Sequence, residues 1–373
     1  MTAPYCSLAT AFAVAFLGSL SAGAVHAQSN PAANPAAGAA ASAPVSPAAP
    51  NLALYTGSDR EQRLIQGAKQ EGSVTIYTSL TVQDTINLGN AFEKKYGIKP
   101  KFWRAGSEGV LQRIVTEIRA GHFEFDVVET NGPELEALHR EKMLQKAWSP
   151  YNADLIPEAI MPHGEWVGTR LNMFVQIYNT KLIKKEDFPK SYQDLLDPKW
   201  KGKLGIEAAD VDWFGTVVKE MGEEKGLKFF RDLVAANGLS VRKGHTLLAG
   251  LTASGEVPLG LTVYNHNADQ LKAKGAPVDW SVIQPAIVRS NGEGVSVRPA
   301  HPNAALLFYD FVLSDGQAIL AKNEYLTASR KTTSNILDKL KLKFVDPVTV
   351  LDENAKWEKL FSEIITQQQK QKQ

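Results

Sequence analysis

The sequence predicts an α/β fold in which mostly parallel sheets carry helices on both faces. Short runs rich in β-branched and aromatic residues alternate with amphipathic segments of helical period, first over residues 73–140 and again over residues 204–264. The composition agrees, because 44% of the residues are hydrophobic and the formal net charge is +1. These values are ordinary for a globular protein that is long enough to build two lobes.

The first alternation supplies three strands and three helices. They are predicted as a strand at 73–78, a helix at 84–96 that stops at Gly97, a strand at 100–104, a helix capped by Ser107 that ends near Gly121, a strand at 125–129, and a helix with Pro133 at its first position. This order predicts parallel strands, because each helix can return the chain to the same end of the sheet.

The second alternation is less regular but uses the same elements. It is predicted as a strand at 204–208, helices at 213–221 and 226–236, and strands at 239–241 and 257–264. The last helices run from Asn303, which is expected to cap the first of them, to a polar tail of Gln and Lys. The two alternations of strands and helices resemble each other in the order of their elements, but they share no internal sequence repeat.

The N-terminal fifty residues contain no Lys, Arg, Asp or Glu. An apolar run ends in Val25-His26-Ala27, which predicts a signal peptide at 1–27 cut after Ala27. An uncleaved anchor is the alternative, although the run is short and diluted for a spanning helix. Residues 28–51 are rich in Ala and Pro, which predicts a disordered spacer. The only cysteine, Cys6, lies in the predicted signal.

Several function classes are disfavoured by what the sequence lacks. The near-zero net charge argues against a nucleic-acid partner, which usually leaves a basic footprint. No P-loop, His-Glu-x-x-His or Gly-x-Ser-x-Gly motif is present. A mature chain cut after Ala27 has no thiol to act as a nucleophile. We therefore expect no enzymatic activity and no cofactor.

Three segments carry a resemblance to a known family. They are residues 191–204 (SYQDLLDPKWKGKL), residues 252–261 (TASGEVPLGL) and residues 300–317 (AHPNAALLFYDFVLSDGQ). Together they resemble the bacterial type II periplasmic solute-binding proteins of ABC importers, in the branch that includes ferric-iron, phosphosugar and phosphonate receptors. The resemblance runs from about Ser73 to about Tyr325.

The resemblance implies a two-lobed clamp that closes on its ligand. Lobe 1 would comprise residues 52–175 and 288–373, and lobe 2 residues 176–287, with crossing strands near 171–179 and 284–290 as the hinge. It further implies a periplasmic monomer that captures a solute between the lobes and presents its closed form to an inner-membrane ABC permease. A ligand sensor that presents the same form to a membrane histidine kinase is an alternative that the sequence leaves open.

Ligands of open α/β sheets bind beyond the carboxyl ends of the strands, where helix N-termini favour anions. In the first alternation these ends supply candidate binding residues, namely Ser79, Arg104, Ser107, Thr130 and Asn131. Serine hydroxyls can donate to an anion and an arginine can form a charge-assisted fork. The alternative is that the serines and Asn131 merely cap helices while Arg104 lies on a solvated rim.

The opposite jaw is expected from the second alternation. Its candidates are Asp210, Trp213, His245, Thr246, Tyr264 and Asn265, with Gln176 on the crossing strand. Tyr264 matches the position of the family's binding tyrosine. The alternatives are a core role for Trp213, structural roles for the histidines and a hinge-bracing role for Gln176.

The ligand itself is predicted as a small organic anion, phosphorylated or carboxylated. Ferric-iron members of the family use adjacent tyrosines, whereas this chain has Asn265 after Tyr264. Iron, or iron with an anion, is therefore the second hypothesis. In that case Tyr264, Glu129, Asp210 and His266 are the expected ligands, since hard oxygen donors suit ferric iron and the ferric-iron members of the family also use a histidine.

Overall fold

The computed structural model describes residues 51–333 and 339–367. The predicted signal peptide, and the spacer up to Pro50, lie outside the described residues. The strands are β1 (Ser73–Thr78), β2 (Lys99–Arg104), β3 (Val127–Asn131), β4 (Leu144–Gln145), β5 (Trp166–Asn179), β6 (Leu204–Glu207), β7 (Ser240–Arg242), β8 (Leu259–Tyr264), β9 (Val278–Ser281), β10 (Ala286–Ser296), β11 (Leu326–Thr327) and β12 (Leu342–Phe344).

The α-helices pack around these strands. They are α1 (Arg60–Glu71), α2 (Val82–Tyr96), α3 (Ser107–Arg119), α4 (Gly132–Arg140), α5 (Val211–Met221), α6 (Glu223–Ala236), α7 (His245–Ser254), α8 (Asn265–Ala273), α9 (Pro302–Leu313), α10 (Asp315–Lys322), α11 (Pro347–Asp352) and α12 (Asn354–Phe361). The segment 191–204 forms short 3-10 turns that lead into β6.

The strands are hydrogen-bonded in the order β2-β1-β3-β10-β5-β8-β6-β7. The outer strands on each side are parallel to their neighbours: β1 with β2 and β3, and β6 with β7 and β8. The central strands β10 and β5 run antiparallel to each other and to the strand on either side. Each half is thus a mixed sheet with parallel βα units at its edge.

Strand β5 belongs to both halves. Residues 166–173 pair with β10, whereas residues 174–178 pair with β8. Strand β10 makes the return crossing, because its residues 291–295 pair with β3 while residues 286–288 pair with β12. The α/β fold with two lobes joined by two crossing strands, expected from the sequence, is confirmed.

Each lobe has its own apolar core. In the first, Phe92 packs edge to face against Phe308 and Phe311. In the second, Phe214 and Phe230 lie 4.7 Å apart between their ring centroids. The lobe boundaries near 175 and 288 remain a proposal. We propose in addition that α12, which was predicted to belong to lobe 1, packs with lobe 2, since it buries Trp357 and Phe361 against α5 in the second core.

Two predicted helix caps are wrong. Ser107 is the first residue of α3, and Gly106 occupies the N-cap position with no side-chain capping bond. Asn303 lies inside α9, where Glu71 takes over the capping role by accepting from the backbone N–H groups of Asn303 and Ala304. A carboxylate from a different helix thereby satisfies donors that the local sequence leaves free.

None of the helices in residues 51–333 and 339–367 is by itself long and apolar enough to cross a membrane. The consecutive helices α9 and α10 meet that standard only as a pair bent by 51°.

Candidate functional site

A cavity of about 720 Å³ lies between the two lobes at the carboxyl ends of their parallel strands. Lobe 1 contributes the loops after β1, β2 and β3, and lobe 2 contributes the loops after β6, β7 and β8. Both lobes therefore present their strand ends to the same space, which is the usual location of ligands in open α/β sheets.

Five helices begin at this cavity, and each places its N-cap residue in the cavity wall. These residues are Thr81 of α2, Gly106 of α3, Asn131 of α4, Gly244 of α7 and Tyr264 of α8. The first-turn N–H groups of a helix have no acceptor within the helix, and the helix dipole makes this end positive. Five such ends around one space create a site suited to an anion.

The lobe 1 residues predicted to bind the ligand are not used as side-chain caps of these helices. Helix α2 is capped by Thr81 rather than Ser79, while Ser107 and Asn131 make no capping bond. Arg104 donates from Nε to the Leu80 carbonyl at 2.6 Å and is otherwise exposed to the cavity. The capping alternative therefore does not account for Ser79 or Ser107, and the terminal nitrogens of Arg104 are left to meet a ligand.

Lobe 2 presents a row of aromatic rings that continues onto a residue of lobe 1. The His245 ring lies 3.8 Å from the Tyr264 ring between centroids, His266 lies 5.6 Å from Tyr264, and Tyr325 lies 4.1 Å from His266. All four rings line the cavity. Tyr325 donates its hydroxyl hydrogen to Asp84 at 2.6 Å, which fixes this end of the row.

The histidines in this row are held neutral. Burial and the nearby Arg289 lower the pKa of His245 to about 3, and burial with Arg170 lowers the pKa of His266 well below its usual range. His245 Nδ1 lies 3.0 Å from the Thr262 carbonyl and so carries the proton. Since the opposite Nε2 is then an acceptor, His245 contributes shape and polarity rather than positive charge.

The floor of the cavity carries polar residues that the sequence analysis did not single out. Arg170 and Asn172 come from β5 and Asn291 from β10, and all are at most 4% exposed. Arg170 pairs with Glu129, yet its Nε has no hydrogen-bond partner among the described residues, and neither has Oδ1 of Asn172 or of Asn291. Buried polar atoms without partners usually mark a missing ligand or water.

A sequence signal for two of these residues did exist. Arg170 and Asn172 are two positions apart in an otherwise largely apolar strand, so they project from the same face of β5. Charged residues are seldom fully buried without a partner or a function.

The structure brings together seven of the predicted binding residues in the cavity wall: Ser79, Arg104, Ser107, Asn131, His245, Thr246 and Tyr264. The other five do not line it. Thr130 and Asp210 are fully buried, Trp213 packs near Tyr192 and Phe230, Asn265 donates to the Glu324 carbonyl, and Gln176 bonds to the backbone of Leu261 and Ile283. The contacts of Gln176 fit the alternative of a hinge-bracing role, and those of Trp213 fit the alternative of a core role.

The predicted iron ligands are not brought together as one set. Tyr264 and His266 line the cavity, whereas Glu129 is bonded to Arg170 and Thr78. Asp210 lies instead beside His245 and Glu207, with one ligand atom of each within 4.8 Å of the others. Glu207 already accepts N–H bonds from Ala209 and Gly244, so only part of this cluster offers free lone pairs.

The fold and the cavity together define a two-lobed receptor that encloses a small solute. The sequence model of the bacterial extracellular solute-binding proteins matches residues 129–347, more than half of the chain. The chain belongs to this family, whose members are solute-binding components of ABC-type importers.

The names of proteins similar to this chain refer to different ligands. Iron uptake protein A1 of Synechocystis is 26% identical over 69% of this chain and 76% of its own length. Iron-bound HitA of Pseudomonas aeruginosa aligns with a TM-score of 0.69 at 25% identity, covering 78% of this chain and 99% of its own. AfuA of Actinobacillus pleuropneumoniae, with fructose-6-phosphate bound, aligns with a TM-score of 0.70 at 25% identity, covering 79% and 99%.

Proposed function

We propose that this protein is a monomeric periplasmic receptor that captures a small phosphorylated or carboxylated organic anion between its lobes and delivers it to an ABC permease. The observation that carries the proposal is the convergence of five helix N-termini on one cavity. Such an arrangement supplies oriented N–H donors and positive potential without any metal ion.

The donors come from both jaws. In α3 the first intrahelical bond is made by Val110, and in α7 by Leu248, so the three N–H groups before each of them are available. Arg104 in lobe 1 and Lys243 in lobe 2 add two cationic side chains to opposite walls. An anion that bridges these walls makes contacts in the closed form that it cannot make in the open form.

Hinge closure is the mechanism that these contacts support. Strands β5 and β10 cross between the lobes, so a small change along them moves one jaw relative to the other. The anion shifts the open–closed equilibrium only by its differential affinity for the closed form. We infer that the permease recognises the closed surface, and that the hydroxyl or carbonyl groups of the ligand meet the floor residues Arg170, Asn172 and Asn291.

Isothermal titration calorimetry on the mature chain tests the proposal. We expect at least one of a panel of phosphosugars, phosphonates and carboxylates to bind, and native mass spectrometry of protein purified from the periplasm to show a retained organic mass without iron. If no member of the panel binds while ferric citrate binds tightly, the proposal is overturned.

Ferric iron is the second candidate, and one observation favours it. Glu207, Asp210 and His245 lie together beside Tyr264, and an oxygen-rich set of this kind suits a hard cation. Against it, Arg289 lies 3.9 Å from Asp210, and the second phenol of the cavity, Tyr325, is bonded to Asp84. Stoichiometric iron with a visible tyrosinate–iron absorption, lost in Tyr264→Phe, would support iron.

A further inference from the structure

A second cavity of about 400 Å³ adjoins the main one. The two share Glu108, Glu134 and Ala209 in their walls, so they adjoin at these residues. The second cavity, which we call the side chamber, extends between α3 and α4 of lobe 1, the start of α5 in lobe 2, and the helices α11 and α12. A ligand in the main cavity would reach the side chamber by extending past these three residues.

Part of the wall of the side chamber consists of large apolar residues. These residues are Leu111, Pro133, Val211, Val350, Leu351 and Phe361. Apart from Phe361, these residues are only half-buried. An apolar group placed against them would remove further apolar surface from water, and this contributes about 25 cal/mol per Å².

The charges of the side chamber disfavour a second anion. Its lining carries Glu108, Glu134, Asp212 and Glu358, against the single lining cation Arg289, which is paired with Asp212 at 2.7 Å. An additional negative group would meet mostly carboxylates. An uncharged group is the occupant that both the apolar wall and this charge balance favour.

Unpartnered buried atoms mark the junction and the wall beside it. Oε2 of Glu134 and Nε of Arg289 are buried and have no hydrogen-bond partner among the described residues. Burial is the main cause that raises the pKa of Glu134 to about 7. Near neutral pH this side chain is therefore often a hydrogen-bond donor, which suits the oxygen that links an anionic head to an organic group.

We propose that the side chamber is a subsite for an uncharged, ring-sized apolar extension of the same anion whose head lies in the main cavity. This inference rests on the proposed function. The space is adequate, because an apolar cavity of about 150 Å³ is enough to hold a benzene molecule. The ligand would then be an ester or acid with an apolar substituent rather than a bare sugar phosphate or inorganic anion.

Calorimetry with matched ligand pairs tests this subsite. The pairs are methyl phosphate with phenyl phosphate, and acetate with phenylacetate, titrated into the mature chain at one pH and salt concentration. We expect the phenyl member of the pair that binds to be at least about tenfold tighter, a gain that corresponds to about 1.4 kcal/mol.

Two blocking variants and one control locate the effect. Leu111→Trp on α3 and Val350→Trp on α11 each fill part of the side chamber and should each remove the phenyl advantage while leaving the affinity for the methyl ligand unchanged. Val115→Trp is the matched control, because Val115 lies one turn further along α3, is equally half-buried, packs on the same core cluster, and does not line the chamber. Thermal melts confirm that each variant is folded.

The outcomes separate the two proposals. Equal affinity for the methyl and phenyl members in the wild type overturns the side chamber as a subsite and leaves the anion receptor standing. A phenyl advantage that survives both blocking variants also overturns it. No binding by either pair, together with tight binding of ferric citrate, overturns the proposed function and the subsite with it.

Discussion

Arg289 on the crossing strand β10 donates from Nη1 to Oδ2 of Asp212 in the first turn of α5, at 2.7 Å, with both side chains more than nine-tenths buried. Its guanidinium also lies over the rings of Phe174 and Tyr264, at 5.2 and 5.5 Å. One buried cation thus joins the hinge, lobe 2 and the aromatic row of the binding cavity.

Removing this cation should destabilise the protein. Arg289→Met leaves Asp212 buried without its partner, so we expect the free energy of unfolding to fall by about 3–5 kcal/mol in urea denaturation. The exposed pair between Lys228 and Asp232 is the control, and Lys228→Met should change the free energy by no more than about 0.5 kcal/mol. Equal effects of the two substitutions would show that the Arg289 pair contributes no more than a surface pair.

Two glycines should respond to alanine in opposite directions. A Cβ at Gly292 would lie 2.2 Å from the Val167 carbonyl oxygen across the β10–β5 pairing, so Gly292→Ala forces these strands apart. At Gly250, inside α7, a Cβ meets no atom within 4 Å. We expect Gly292→Ala to lower the melting temperature by several degrees, and Gly250→Ala to stabilise by up to about 1 kcal/mol. A neutral Gly292→Ala would mean that the two strands can separate at little cost.

The fold was predictable from sequence because its signals are local. Strands β1, β2 and β3 begin or end within two residues of their predicted positions, since apolar periodicity and glycine stops act over a few residues. The caps of α3 and α9 were not predictable in the same way. Glu71 reaches the start of α9 from a position 232 residues earlier, and no local pattern records that contact.

The residues of the candidate site also differ in whether the local sequence predicts their position. Strand-end residues such as Ser79, Arg104 and Tyr264 lie in the cavity wall, and this position was predictable because it follows from the order of the elements. Asn291 and Tyr325 were missed because only tertiary packing brings them to the cavity floor and to the end of the aromatic row. The same packing turned Trp213 from a predicted ligand contact into a core side chain.

The cap supplied by Glu71 can be measured directly. Glu71→Ala removes the acceptor for the N–H groups of Asn303 and Ala304 at the start of α9, and we expect a loss of about 1–2 kcal/mol in unfolding free energy. Asn303→Ala leaves both backbone donors bonded to Glu71, so the loss should be smaller. A larger effect at Asn303 would assign the capping role to its side chain instead.

Binding and folding should separate at the cavity wall. Arg104→Ala removes an exposed side chain whose Nε bonds only to the Leu80 carbonyl, so its effect on unfolding free energy should stay within about 0.5 kcal/mol. Its effect on anion affinity should be about tenfold or more, with a weaker salt dependence than the wild type. Tyr264→Phe, which keeps the ring and removes the hydroxyl, should weaken binding in the same calorimetry without lowering the thermal melt. Loss of both binding and the melt would mark either residue as structural.

The pH dependence of anion binding should be set in part by Glu134. Burial raises the pKa of this carboxyl to about 7, so it is mostly neutral at pH 6 and mostly ionised at pH 8.5. Once ionised, it repels an anion at the junction of the two cavities, and affinity falls as the pH rises through 7. Glu134→Gln stays neutral throughout. The affinity of Glu134→Gln relative to wild type for phenyl phosphate, a ratio that cancels the titration of the ligand itself, should therefore rise by about threefold or more from pH 6 to 8.5 in calorimetry. A ratio that stays constant over this range would place Glu134 out of reach of the bound anion.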